Sequence, residues 1–136
     1  MSDKILVDTS AWILSFKDKG NERLKDYLIK ALDSDRVVIT HIIILELLQG
    51  CKNRKEYDTL KARLEILQMY GMTDSTWSIA YETGFLLRTK GITVPTVDIL
   101  ISSIAKENML TLLHHDNHLK IISRVIELKT VDFIYK

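Results

Sequence analysis

Lys4-Ile5-Leu6-Val7-Asp8-Thr9-Ser10-Ala11-Trp12-Ile13 is the stretch from which the rest of the chain can be read. Ile5-Leu6-Val7 is a compact apolar run with β-branched residues at both ends and none of the polar alternation of a water-facing strand. Such a run fits a strand buried on both faces of a parallel sheet. Asp8 closes it. Thr9 and Ser10 follow, and either can cap a helix beginning near Ala11 and Trp12; Asp8 can serve as that cap too. The unit is strand, acid, helix.

Working outward, the same alternation continues. Gly20-Asn21 breaks the first helix, and Leu24, Leu28, Ile29 and Leu32 mark one face of a second over residues 22–32. Asp33-Ser34-Asp35 is a turn, and Val37-Val38-Ile39-Thr40 reads as a second buried strand. Residues 42–49 form a nearly all-apolar helix closed by Gly50. Residues 56–68 carry Tyr57, Leu60, Leu64 and Leu67 at helical spacing. Ser75 or Thr76 can cap the next helix, whose stripe is Trp77, Ala80, Tyr81, Gly84 and Leu87 and whose end is Gly91. Thr96, after the only proline, Pro95, can cap a helix through Glu107. Residues 109–113 read as a third strand, 119–124 as a short helix and 128–131 as a last strand. This pattern indicates an α/β fold with a central, mainly parallel sheet of about four or five strands flanked by helices. With 136 residues and no repeat, low-complexity stretch or linker, the expected organisation is a single domain over 1–136.

Composition narrows the function classes. A 46% hydrophobic fraction supplies a core and a 27% charged fraction a normal surface, which excludes a disordered chain. The formal net charge is +1, so contact with nucleic acid must come from local basic patches. The single cysteine, Cys51, cannot form an internal disulfide and gives no sign of an oxidising compartment. The apolar run near the start is too short for a signal peptide, and the longest, residues 42–45, is far below the roughly 20 residues of a membrane helix. The expected location is cytoplasmic, away from membranes.

In open parallel sheets, ligands bind beyond the carboxyl ends of the strands. Asp8 ends the first strand, Glu46 lies in the helix after the second, Asp98 in the first turn of the helix entering the third, and Asp116 shortly after the third. Glu46 is flanked by residues 42–45 and Leu47-Leu48, and Asp98 by Val97 and Ile99-Leu100-Ile101. A carboxylate in such surroundings is costly to desolvate unless it is paired or binds a cation. Several acids at one spot repel each other unless a cation sits among them. All-oxygen donors suit a hard divalent ion, Mg²⁺ or Mn²⁺. Each acid alone also has a structural reading: Asp8 as a cap, Asp98 as a helix-dipole partner, Asp116 as a turn residue in His115-Asp116-Asn117. The set of four carries the argument.

The opening ILVDTSAWI (5–13), then VVITHIIILELLQG (37–50) and VPTVDILISSIAKENMLTLLHHDNHLKII (94–122), resemble in order the motif blocks of PIN-domain ribonucleases. Across nearly its whole length the chain resembles their VapC-type toxin branch. The resemblance implies a three-layer PIN-like fold and an Mg²⁺- or Mn²⁺-dependent endoribonuclease, the toxin of a type II toxin–antitoxin pair. Such an enzyme cleaves RNA, a tRNA or an rRNA, with metal-activated water and leaves a 5′ phosphate and a 3′ hydroxyl. Residue by residue, the family's acidic set falls on Asp8, Glu46, Asp98 and Asp116, and its small hydroxyl on Thr9 or Ser10. Asp8 and Asp98 are then the direct metal ligands. Glu46 and Asp116 bind a second ion, bind through water or orient the nucleophile, and Ser10 holds Asp8 or a metal-bound water. Leu119 stands where the family often has an aromatic. The resemblance also implies a homodimer and a small VapB-like antitoxin. The alternatives are a housekeeping RNA-processing nuclease on the same fold and a catalytically inert protein-binding scaffold, against which retention of all four acids argues.

Other features point less sharply. Ser10 stands two residues after Asp8, where a haloacid-dehalogenase phosphatase needs a second acid, and Asp8 lacks the acidic neighbour of a receiver-like domain. His114, His115 and His118 cluster around Asp116, but adjacent histidines at a strand end point to opposite faces and no Cys or HExxH motif accompanies them, which argues against zinc. Imidazole acid–base chemistry without metal would leave the buried acids unexplained. Lys52, Arg54, Lys55, Lys61 and Arg63, interleaved with Glu56, Asp58 and Glu65, read as a solvated helix face or as a phosphate-steering surface; Arg88 and Lys90 are a second such group. Trp12 and Trp77 read as core or interface residues. Trp12, Ile13, Phe16, Leu24, Leu28, Leu32 and residues 42–48 either fill the core or border a groove for an amphipathic partner helix.

Overall fold

The structure is a computed structural model that describes residues 3–133. The elements run β1 (Ile5–Val7), α1 (Thr9–Ser15), α2 (Glu22–Asp33), β2 (Val37–Ile39), α3 (His41–Gln49), α4 (Arg54–Leu64), β3 (Gln68–Met69), α5 (Asp74–Thr89), α6 (Thr96–Glu107), β4 (Thr111–His114), α7 (Asn117–Val125) and β5 (Thr130–Asp132). The strands form one sheet in the order β3-β2-β1-β4-β5. All four pairings are parallel.

This order sets the layers. From β1 the chain first moves one way, through β2 to β3, then crosses back to β4 and β5 on the other side. Right-handed crossovers therefore put α1 to α4 on one face and α5 to α7 on the other. Packing agrees: α1 touches α2 and α3, and α6 touches α5 and α7. β1, β2 and β4 are buried along their whole length, as strands covered on both faces must be. Ile5, Leu6, Ile39, Ile43, Ile101, Ile104, Leu112, Leu113 and Leu119 are at the centre of the core, each fully enclosed.

Several boundaries differ from the sequence-based expectation, each for a local reason. The helix expected over residues 56–68 stops at Leu64, and Gln68–Met69 is an edge strand paired with β2. Both its residues are exposed, so it carries no apolar signature. Residue 109 does not begin the third strand: Met109 takes φ 53 and lies on the surface. Helix α5 is capped by Thr73, with Thr76 completing a reciprocal capping box three residues on. The position before α6 is held by Pro95, without a side-chain cap. Gly91, at φ 73, follows α5 in the left-handed conformation that glycine adopts without strain. The stripe read for α5 is also redistributed. Thr76, Ala80, Thr83 and Leu87 face inward, while Trp77 and Tyr81 lie outside with Phe85. Among the described residues, no helix is long and apolar enough to cross a membrane.

Candidate metal centre

β1 and β4 are neighbours, so the residues that follow them meet at one end of the sheet. Asp8 follows β1 directly and is 4% exposed. It is the N-cap of α1: its Oδ2 accepts hydrogen bonds from the Ser10 backbone N–H at 2.9 Å and the Ser10 hydroxyl at 2.5 Å. The same Ser10 Oγ accepts from the His115 backbone N–H at 2.9 Å. One hydroxyl thus ties the end of β1 to the loop after β4.

On α3, Glu46 is half-buried, and its Oε1 accepts from the Thr9 hydroxyl at 2.7 Å. Its helix is less enclosed than the sequence suggests, because Leu45 beside it is 60% exposed. Of the two hydroxyls read as alternatives, Thr9 therefore holds Glu46 and Ser10 holds Asp8. In the first turn of α6, Asp98 is reached by little solvent. Asp116 is the N-cap of α7, its Oδ1 accepting from the Leu119 N–H at 3.0 Å. Leu119, fully buried, anchors this turn in the core.

The four acids feel one another. Burial pushes the Asp98 carboxyl up to about 7, reinforced by the negative charges of Asp116, Asp8 and Glu46 and opposed by His118. Burial also raises Asp8, against the two Ser10 hydrogen bonds, with Glu46 and Asp116 adding repulsion. Such mutual repulsion at the carboxyl end of a parallel sheet fits a place for a divalent cation.

The histidines separate into distinct roles. His114, the last residue of β4, is fully buried; its Nδ1 accepts from the Asp116 N–H at 3.2 Å, and burial lowers its basicity. Its Nε2 and the Nδ1 of His115 are enclosed without a hydrogen-bond partner among the described residues. His118 is not at the strand end but in the first turn of α7, with Nδ1 3.8 Å from Asp98 Oδ2 and 3.8 Å from Asp116 Oδ1. Asp98, Asp116 and His118 each offer a ligand atom within 4.8 Å of the others. Adjacent histidines on a strand point to opposite faces, but His118 sits on a helix, where that geometry does not apply. The spacing Asp116-x-His118 across a helix start was the available signal.

A groove of about 750 Å³ reaches Glu46, though not the other three acids, and is lined by Ile13, Phe16, Leu47, Leu60, Cys51, Lys55 and Arg63 among others. Ile13 and Phe16 are 47% and 54% exposed, whereas Trp12, Leu24, Leu28, Ile43 and Leu47 belong to the core. The apolar surplus seen in the sequence is thus mostly core; of the exposed remainder Ile13 and Phe16 face this groove, while Leu32 and Leu45 are exposed outside its lining. The basic run divides likewise. Arg54 pairs with Asp58 and lies 4.7 Å from the Tyr57 ring centroid, and Lys61 pairs with Glu65, while Lys55 and Arg63 border the groove.

Residues 5–125 match the PIN domain family. The chain is 25% identical over 132 residues to the VapC ribonuclease Mb1587 of Mycobacterium bovis, covering 95% of this chain and 98% of that protein. It matches ribonuclease VapC11 of Mycobacterium tuberculosis to the same extent, 25% over 132 residues. Among solved structures, VapBC2 from Rickettsia felis bound to a promoter DNA fragment superposes with a TM-score of 0.77 at 20% identity, covering 95% of this chain and 98% of that one. FitAcB from Neisseria gonorrhoeae superposes with a TM-score of 0.71 at 21% identity, covering 93% and 95%. The structural likenesses bear on the fold alone, and the family match spans nearly all of it: the chain belongs to the PIN domain family.

Proposed function

We propose that this protein is a VapC-type toxin, a divalent-metal-dependent endoribonuclease paired with a small VapB-like antitoxin. The observation that carries the reading is the set of four acids, Asp8, Glu46, Asp98 and Asp116, coupled by repulsion at one end of a PIN-family sheet. The relatives it matches along nearly their whole length are named as VapC ribonucleases. Asp8 and Asp98 would be direct ligands of Mg²⁺ or Mn²⁺, with Glu46 and Asp116 serving a second ion or orienting the attacking water. A bound cation supplies Lewis-acid stabilisation of phosphate charge and a more acidic water. The rest is the chain's own work. Ser10 fixes one oxygen of Asp8, Thr9 fixes Glu46, and the Leu119 N–H fixes Asp116. Lys55 and Arg63, along the groove that reaches Glu46, suit the phosphates of an RNA strand.

The groove also suits an amphipathic antitoxin helix, with Ile13 and Phe16 as its apolar contacts and an arginine of the partner reaching the acids. The exposed aromatics Trp77, Tyr81 and Phe85 on α5 suit a second copy of the chain, giving a homodimer. The chain would act as one domain in the cytoplasm. The test combines biochemistry and growth. Purified protein should cut RNA with Mg²⁺ or Mn²⁺ and stop in EDTA, and its expression should arrest growth until the neighbouring small open reading frame is co-expressed. Cleavage that survives EDTA refutes the metal mechanism. Harmless expression of an active nuclease, with no co-purifying partner, moves the reading to a housekeeping RNA-processing enzyme.

A further inference from the structure

His118 lies outside the acidic set, yet its place is unusual. Its Nδ1 is equidistant, at 3.8 Å, from Oδ2 of Asp98 on α6 and Oδ1 of Asp116 at the head of α7. That is too long for a hydrogen bond, so the ring is committed to neither carboxylate. It is close enough for a shared ion. At ligand distances near 2.1 Å, an octahedral ion holds adjacent donors about 3 Å apart and opposite donors about 4.2 Å apart. All three residues offer atoms within 4.8 Å of one another, so only small side-chain adjustments separate this arrangement from a mixed nitrogen–oxygen coordination site. The His118 side chain is 47% exposed and needs no core rearrangement to turn.

We propose that His118 is a nitrogen ligand of a cation shared by Asp98 and Asp116, the second ion that Asp116 can serve, and that it tilts that position toward Mn²⁺ over Mg²⁺. The inference rests on reading the acids as a cation site. Mg²⁺ keeps to oxygen donors and its own waters, whereas first-row divalent ions accept imidazole. The competing role is a counter-charge: a protonated His118 that offsets the two carboxylates would compete with the cation, and its removal would tighten binding.

Mn²⁺ alone separates these roles, because it reports its ligands by paramagnetic resonance. The full-length protein is loaded with Mn²⁺, and echo modulation from directly bound ¹⁴N is compared between wild type and His118→Ala; affinities for Mn²⁺ and Mg²⁺ are measured separately by titration calorimetry. The expected result is ¹⁴N modulation in wild type and none in the variant. Mn²⁺ affinity should fall about tenfold or more and Mg²⁺ affinity change less than about twofold, the mark of one lost nitrogen donor. Mn²⁺ bound without ¹⁴N coupling, coupling that persists in His118→Ala, or a variant that binds Mn²⁺ as tightly as wild type overturns the proposal while leaving the acidic site standing. Failure of wild type to bind Mn²⁺ at all overturns the reading of the acids, and this inference with it.

Discussion

Asp98→Asn should make the metal-free protein more stable at pH 8 and change it little at pH 4. The folded site holds the Asp98 proton up to about pH 7, against 3.8 for a free side chain. Below 3.8 the carboxyl is neutral in both folded and unfolded chains, and there is no penalty. Between 3.8 and about 7 the unfolded chain has released the proton while the folded chain keeps it, so stability falls as pH rises. Above about 7 both are ionised and the full penalty stands. At about 1.4 kcal/mol per pH unit across that window, it reaches about 4 kcal/mol, and solvent screening on the open side trims it to about 2–4 kcal/mol. Asparagine has nearly the same shape and no charge to desolvate, so the variant should recover this amount. Urea unfolding in EDTA at pH 4, 6 and 8, followed by tryptophan fluorescence, measures it. A variant whose advantage is the same at pH 4 and pH 8, or which is less stable at pH 8, would falsify the crowding argument. Adding Mn²⁺ should then invert the order, because only wild type gains binding energy.

Four further outcomes follow from the same geometry. Asp8→Asn and Asp98→Asn should each reduce RNA cleavage at least about 100-fold with an unchanged circular dichroism spectrum, as the ligand role proposed for each requires. Apparent metal affinity of wild type should rise with pH up to about 7 and then level, as protons cease to compete for Asp98; titrations at several pH values would show no slope if Asp98 were ionised throughout. Ser10→Ala should cost about 1–3 kcal/mol in urea unfolding, because it strands the His115 N–H and strips Asp8 of its shortest hydrogen bond. Phe16→Ala should weaken binding of the antitoxin helix about tenfold or more, read by calorimetry, while RNA cleavage by the free protein changes far less, because the substitution adds no charge beside Lys55 and Arg63.

The sequence disclosed the fold where burial writes itself into composition. Ile5-Leu6-Val7, Val37-Val38-Ile39 and Leu112-Leu113 are apolar on both sides because helices cover both sides, and the reader of the sequence sees an unbroken run. Gln68–Met69 is equally a strand, but at the sheet edge and exposed, so nothing in its residue types marks it. On α5 the apolar pattern misled in the opposite sense. Two threonines, Thr76 and Thr83, occupy the inner face, and the aromatics Trp77, Tyr81 and Phe85 lie outside. Periodicity assigns large apolar residues to the core and cannot see a surface that keeps them. The acids were legible as positions after strands. Their convergence depends on strand order, which places β1 between β2 and β4, and no local pattern encodes that. His118 is hidden in the sequence because its approach to Asp98 depends on the first turn of α7, which starts at Asn117 directly after the strand-end histidines.

The structural and functional readings of these acids, which compete in the sequence, coexist in the structure because a carboxylate has two oxygens. Asp8 spends Oδ2 on the first turn of α1, and Oδ1 takes no part in that cap. Asp116 gives Oδ1 to the Leu119 N–H through one lone pair, and the same oxygen faces His118 at 3.8 Å, with Oδ2 outside that bond. Capping fixes the rotamer of each acid against a helix that the core already holds, through Trp12 on α1 and Leu119 on α7. Each carboxylate is thereby held in place without any further scaffold, with lone pairs outside the cap. Capping does not relieve the crowding, since the raised proton affinities of Asp8 and Asp98 persist with the caps in place. An acid that served only as a cap would gain nothing from standing close to three others. The residual repulsion is therefore what distinguishes this set from ordinary helix caps, and it is removed only by a proton or by a cation.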